Sequence, residues 1–194
     1  MRAKSVCGIM MLVGLVGLPS HLFAETPIQA LQATIDRLQQ ALREPHQGGE
    51  IRATQVWDIL LTRFDVREMS KRILGSYWDG PVEQQEAFLT EFTAFMNRTF
   101  AQKLEKLKEA TLICRAEEIQ GAVATVMTSL YMSDEEVNLK FHLHQQASEW
   151  KIYDVVLDKG RFSLVRSYRA QLQWLLHTAS FEDVLHVIRE KNAW

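Results

Sequence analysis

After Ala110 the spacing of apolar residues changes from a period of about 3.6 to a period of 2, and this switch limits the chain to few architectures. The clearest stretch is Val137, Leu139, Phe141 and Leu143 alternating with Asn138, Lys140, His142 and His144, the pattern of a half-buried strand. Thr111 to Glu118, Ala122 to Met132 and Glu149 to Leu157 supply three more strands. The separators Gln120-Gly121, Ser133-Asp134-Glu135 and Gln146-Ala147-Ser148 have hairpin lengths, so the expectation is a four-stranded antiparallel meander.

Helical spacing occupies both flanks. Thr26-Pro27-Ile28-Gln29 combines an N-cap hydroxyl, a proline at the first helical position and a glutamine that can close a capping box. Ile28, Leu31, Ile35, Leu38 and Leu42 then form one stripe, which Pro45 and Gly48-Gly49 end, so residues 25–49 read as an N-terminal helix and linker. Helical patterns follow from Glu50 to Phe64 and from Val66 to Ser76. Gly80-Pro81 opens the longest helix, whose face of Phe88, Leu89, Phe92, Phe95, Met96, Phe100, Leu104 and Leu107 is wide enough to predict packing on a sheet. Ser163 caps a helix carrying Leu164, Val165, Tyr168, Leu172 and Leu175, and Ser180 starts a last one through Lys191. Helices, then sheet, then helices give an α+β class, with helices packed against an antiparallel sheet in one domain over residues 25–194.

Residues 1–24 show a basic start with Arg2 and Lys4, an apolar run from Val6 to Leu18, and a stretch ending in Ala24. This is the pattern of a secretory signal peptide, too short in its apolar run to span a bilayer, with cleavage expected after Ala24. It implies an oxidising compartment, and since Cys7 falls in that segment, Cys114 is left without an internal disulfide partner. Its neighbours Leu112, Ile113 and Ala116 suit a buried structural thiol. The formal net charge of −2 becomes more negative once Arg2 and Lys4 leave, and no basic stripe suggests nucleic acid.

No nucleophile elbow, phosphate-binding loop, dinucleotide glycine fingerprint or paired-thiol metal motif occurs, so neither an enzyme nor a cofactor is expected. His142 and His144 share a strand face and could meet Glu118 or Asp134 around a metal, but their alternation with apolar residues fits a solvated face better. His177 and His186 are single histidines in helical patterns. Nine Phe, five Trp and Met69, Met96, Met127 and Met132 provide much adaptable apolar material. Such side chains either fill a core or line a lipid cavity, and periodicity does not separate the two.

The stretch Phe64-Asp65-Val66-Arg67-Glu68-Met69-Ser70-Lys71-Arg72-Ile73-Leu74-Gly75-Ser76-Tyr77-Trp78 resembles the signature of MlaC-type proteins, the toluene-tolerance family of periplasmic auxiliary components of lipid ABC transporters. Glu83-Gln84-Gln85, Asn97-Arg98-Thr99-Phe100-Ala101, Trp150 to Val155, Ser163-Leu164-Val165 and Tyr168-Arg169 agree in order and spacing. The chain departs from the pattern at Phe100 (usually Tyr), at Ser167 (commonly Asn), and in a longer turn at Lys159-Gly160-Arg161-Phe162. The resemblance implies helices over a curved four-stranded sheet, with an apolar pocket between them for phospholipid acyl chains. It also implies shuttling in the periplasm between an outer-membrane lipoprotein complex and an inner-membrane ABC transporter bearing an MCE-domain protein. On that reading the lining comes from Met69, Ile73 and Leu74 of the short helix; Phe92, Phe95, Met96 and Phe100 of the long one; Leu139, Phe141 and Leu143 of the alternating strand; and Leu164, Tyr168 and Leu172 beyond it. Arg166 and Arg169 are the candidates for a phosphate head group. A hopanoid carrier of the same superfamily and a protein-binding periplasmic adaptor are the alternative readings.

Overall fold

The computed structural model describes residues 25–43, 49–132, 135–157 and 161–190, and leaves the side chains of Gly49, Glu50 and Glu105 undescribed. Residues 1–24, expected to be a signal peptide, and Pro45, Gly48, Asp134, Lys159-Gly160 and Lys191 lie outside the described residues. Among the described residues the order is α1 (Pro27–Arg43), α2 (Gly49–Arg63), α3 (Val66–Leu74), a 3-10 turn (Gly75–Asp79), α4 (Val82–Lys108), β1 (Thr111–Gln120), β2 (Val123–Met132), β3 (Glu135–Gln146), β4 (Glu149–Leu157), β5 (Phe162–Ser163), α5 (Leu164–Thr178) and α6 (Phe181–Glu190). No described helix is long and apolar enough to cross a membrane.

The helix starts follow from local capping. Thr26 Oγ1 accepts the Gln29 N–H at 3.3 Å while Gln29 Oε1 accepts the Thr26 N–H at 3.0 Å, the reciprocal pair expected of a capping box. Asp65 Oδ1 caps α3 through the Glu68 N–H (2.8 Å), and Ser163 Oγ caps α5 through the Arg166 N–H (3.0 Å). The helix expected to reach Ser76 stops at Leu74, because Gly75 takes φ +60° and the chain tightens into the 3-10 turn. A Cβ on Gly75 would lie 2.8 Å from the Arg169 guanidinium, so the position also admits the close approach of α5.

The sheet is an open antiparallel meander with strand order β1-β2-β3-β4-β5. The expectation of four strands is corrected to five, because Phe162 and Ser163 pair with Leu157 and Val156. Two residues carry no alternation to read. Two irregularities bend the ladder. On β1 the register shifts between Cys114 and Ala116, and on β4 Tyr153 is left over as Asp154 pairs with His142 and Ile152 with Leu143.

The β1 bulge reverses which side chains face inward, so that Glu117 lies opposite Val126, which is fully buried. Glu117 Oε2 there accepts the Ile28 N–H at 2.7 Å, placing a carboxylate at the start of α1, where the free N–H groups favour it. Helix α1, not α4, lies on the sheet. Ala30, Leu31 and Ile35 pack with Ala124, Val126, Leu139, Phe141, Leu143, Trp150 and Ile152, whereas α4 packs mainly on α6, α3, α2 and α1. The placement of α4 is therefore corrected: its periodicity shows that one face is covered but not by what.

Candidate functional site

The buried apolar residues form two clusters. The sheet cluster holds Leu139, Phe141 and Leu143 beneath the N-terminal half of α1. The helical cluster holds Met69, Ile73 and Leu74 of α3, Phe92, Phe95 and Met96 of α4 and Leu172 of α5, with Phe100, Leu164 and Tyr168 partly buried against it. The residues expected to line one pocket are thus divided between two packed regions. Met69, Ile73 and Leu143 are wholly buried, and Phe92 nearly so.

What joins the clusters was not among the residues expected to line the pocket. Phe64, half-buried, packs against both, and α1 contributes Ala30, Leu31 and Ile35 to one and Ala41 and Leu42 to the other. Phe100 lies 6.2 Å from the Phe64 ring and 6.1 Å from the Trp57 ring, ring centroid to ring centroid. Leu112, Leu130 and Val137 extend the inner face of the sheet as half-buried side chains. The β1–β2–β3 register, Leu112 to Leu130 to Val137, carries that face across three strands. The alternation of the strands contained this signal; the register needed to align them did not follow from it.

An open groove of about 710 Å³ lies elsewhere, between α1 and α2, bordered by Arg37, Gln40, Ile51, Thr54, Asp58 and Thr62 among others. None of the expected lining residues borders it.

Polar contacts between helices and sheet concentrate on β4 and its bulge. Arg63 donates from Nη1 to the Trp150 carbonyl (2.7 Å) and from Nε to Thr34 Oγ1 (2.9 Å), and its burial lowers the guanidinium pKa from the usual arginine value. The Asp65 N–H donates to the Ile152 carbonyl (2.8 Å), and Lys151 Nζ donates to the Thr62 carbonyl (2.9 Å). Asp154 Oδ2 accepts from Ser163 Oγ at 2.6 Å and its Oδ1 accepts the Val165 N–H at 3.0 Å, which secures the start of α5.

His144 Nε2 lies 2.9 Å from Asp65 Oδ2, and His142 Nδ1 lies 3.2 Å from Thr125 Oγ1. Their rings flank Tyr153, over which the Arg72 guanidinium stacks at 4.0 Å. Each histidine therefore has a local partner, and the described residues contain no group of three or more His, Cys, Asp or Glu placed to hold a metal. Of the other histidines, His177 contacts Tyr77 edge-on and His186 is exposed beside Glu190. Cys114 is half-buried on the inner face, and burial raises its thiol pKa. Burial likewise pushes the Tyr168 phenol up to about 12, keeping it neutral between Phe92 and Phe95, whose rings it meets edge-on at 5.6 and 5.5 Å. Arg166 and Arg169 are exposed on α5, where Arg169 Nη1 donates to the Arg72 carbonyl at 3.4 Å.

Burial depresses the His142 pKa; the Asp154 carboxylate opposes the shift, and Lys140 and Arg72 add to it. Because the folded ring prefers to be neutral, the unfolded chain takes up the proton first as pH falls below about 6.5. Stability is therefore full above that value and declines below it. The urea midpoint is expected to fall between pH 7 and pH 5.5, and to fall less in His142→Gln.

No curated protein matches the sequence. Among solved structures, a phospholipid-binding protein from Ralstonia solanacearum, determined in complex with a phospholipid, superposes with a TM-score of 0.73 at 17% identity. The match covers 86% of this chain and 95% of that one, and at such identity it establishes a shared fold. The family model described as MlaC protein matches residues 29–190, and the chain belongs to the MlaC family.

Proposed function

We propose that the chain binds a phospholipid by its acyl chains and carries it through the periplasm, between an outer-membrane lipoprotein complex and an inner-membrane ABC transporter with an MCE-domain subunit. Membership of the MlaC family carries this reading. The shared fold of a protein solved with phospholipid bound supports it. The physical demand is severe: at ~0.8 kcal/mol per methylene, exposing two chains of roughly 28 methylenes in total costs on the order of 20 kcal/mol. A carrier must surround nearly all of that surface with apolar side chains.

The lipid's place in this proposal is the seam between the two clusters, where Phe64 and Phe100 meet. Side chains already wholly buried, such as Ile73 and Leu143, then back the seam rather than touch the chains. Loading requires the helical layer to part from the sheet, and docking on the membrane-protein partners supplies the free energy for that opening.

Native mass spectrometry of protein purified from a periplasmic fraction without detergent tests the reading. The expected spectrum contains an adduct with the mass of a diacyl phospholipid. Phe100→Glu, which puts a charge into the seam without emptying either core, is expected to reduce that adduct at least roughly tenfold. A hopanoid mass would redirect the substrate class, and lipid-free wild-type protein would favour the adaptor reading.

A further inference from the structure

Helix α3 is fastened to the sheet at both ends, and the two fastenings answer to acid in opposite directions. At its start the Asp65 N–H donates to the Ile152 carbonyl (2.8 Å), and Asp65 Oδ2 lies 2.9 Å from His144 Nε2. Toward its far end Arg72 lays its guanidinium over the Tyr153 ring at 4.0 Å, while Arg72 Nε donates to Glu68 Oε1 at 2.8 Å. Tyr153 is the residue that the β4 bulge leaves without a partner on β3, and the His142 and His144 rings flank it at 6.0 and 5.8 Å. Met69, Ile73 and Leu74 on the other side of α3 are buried with α4 and α5, so α3 ties that helical cluster to β4.

His142 is half-buried, with Nδ1 3.2 Å from Thr125 Oγ1 of β2, a setting that suits a neutral ring. A charged ring meets burial as its main penalty, and the Lys140 ammonium of β3 and the Arg72 guanidinium of α3 add to it. Asp154 of β4 attracts the charge, but its carboxylate already accepts from the Ser163 hydroxyl and from the Val155 and Val165 N–H groups. Glu118 of β1 is exposed across Thr125 in the register, and Glu68 is held by Arg72. Lys151 lies opposite His144 and reaches Glu149, and Arg169 of α5 donates to the Arg72 carbonyl, adding a further cation on that side. At His144 the balance is reversed, because the Asp65 carboxylate faces the ring and a proton there strengthens the contact.

We infer that the His142–Tyr153–Arg72 stack is an acid-sensitive latch: a proton on His142 drives the Arg72 guanidinium off the Tyr153 ring and frees the end of α3 from β4, while Asp65 and His144 keep its start fastened. The coupling is reciprocal. Moving Arg72 away and admitting water to the imidazole removes two penalties on its charged form, so the open latch takes the proton more readily than the closed one. The latch is therefore closed at pH 7 and above, and it opens as the pH falls below about 6.5. It goes beyond the carrier proposal, because it belongs to the fold whether or not lipid is bound; in a carrier it would loosen the helical layer from the sheet.

Hydrogen exchange read by mass spectrometry at pH 7.5 and 5.5, with labelling times scaled to the intrinsic rates, tests the inference. At pH 5.5 the wild-type peptides over residues 70–79 and 151–157 are expected to lose protection about tenfold, while those over residues 111–132 keep theirs. His142→Gln preserves a polar contact for Thr125 but takes no proton, and its protection in both segments should be the same at the two pH values. His144→Gln, changed at the other fastening, should still show the loss over residues 70–79. Arg72→Met is expected to be loose already at pH 7.5, and to raise the midpoint of His142 ring protonation, followed by NMR, by roughly half a unit. A loss spread evenly over the chain, an equal loss in His142→Gln, or an unmoved His142 midpoint in Arg72→Met overturns the inference. Native mass spectra of the same preparations keep the two ideas apart: local loosening in protein that never holds lipid removes the carrier proposal alone, and lipid-loaded protein without local loosening removes the latch alone.

Discussion

Phe92→Ala is expected to destabilise the fold by about 4 kcal/mol, a large fraction of the total stability of a domain this size. The ring is 2% exposed, stacks on Phe88 at 5.8 Å and Phe95 at 6.2 Å, and takes the edge of Tyr168 at 5.6 Å. Truncation removes the transfer free energy of the ring, leaves a void in the packed helical cluster, and deletes three aromatic contacts at once. Phe162, 49% exposed on the two-residue strand, provides the control, since its replacement by Ala should cost under about 1 kcal/mol. Urea unfolding followed by circular dichroism checks both, and comparable midpoints for the two variants would contradict the assignment of Phe92 to a tightly packed core.

Asp65→Ala is expected to cost about 2–4 kcal/mol although it removes only three heavy atoms. One carboxylate oxygen caps α3 and the other meets His144, so a single change frees a helix terminus and strips a largely buried imidazole of its partner. A double-mutant cycle with His144→Ala separates these parts. The cap portion should persist in the His144→Ala background, and the pair portion should vanish. Fully additive losses would show that His144 contributes nothing through Asp65.

The two variants also mark how far the sequence could be read. Phe92 was legible as an inward residue because helical spacing reports burial directly, and β3 was legible because its two faces differ at every step. The capping box at Thr26 and the cap at Ser163 were legible because each is settled within four residues. The partner of His144 was not, since Asp65 lies 79 residues earlier and only the docking of α3 beside β4 brings them together. The same reason hid the division of the expected lining between two clusters: periodicity tells that Leu143 and Ile73 are covered, but both look alike whether they face each other or different neighbours. The two-residue β5 fell below any period, and the β1 bulge undid simple alternation by exchanging Ala116 for Glu117 on the inner face. The family resemblance read from Phe64 onward was confirmed over residues 29–190, which include most of α1, a segment outside the residues that carried it.

Glu117 holds the start of α1 from 89 residues downstream, and the Trp150 indole reaches the Glu25 carbonyl across 125. During synthesis the first helix therefore emerges long before the strands that will shelter Ala30, Leu31 and Ile35. Until the ribosome has passed β4, that stripe has no permanent cover, and the nascent chain stays open and slow to commit. Under the periplasmic reading proposed above, such a delay keeps the chain threadable through a narrow channel, because the first helix cannot lock until the last strands have arrived.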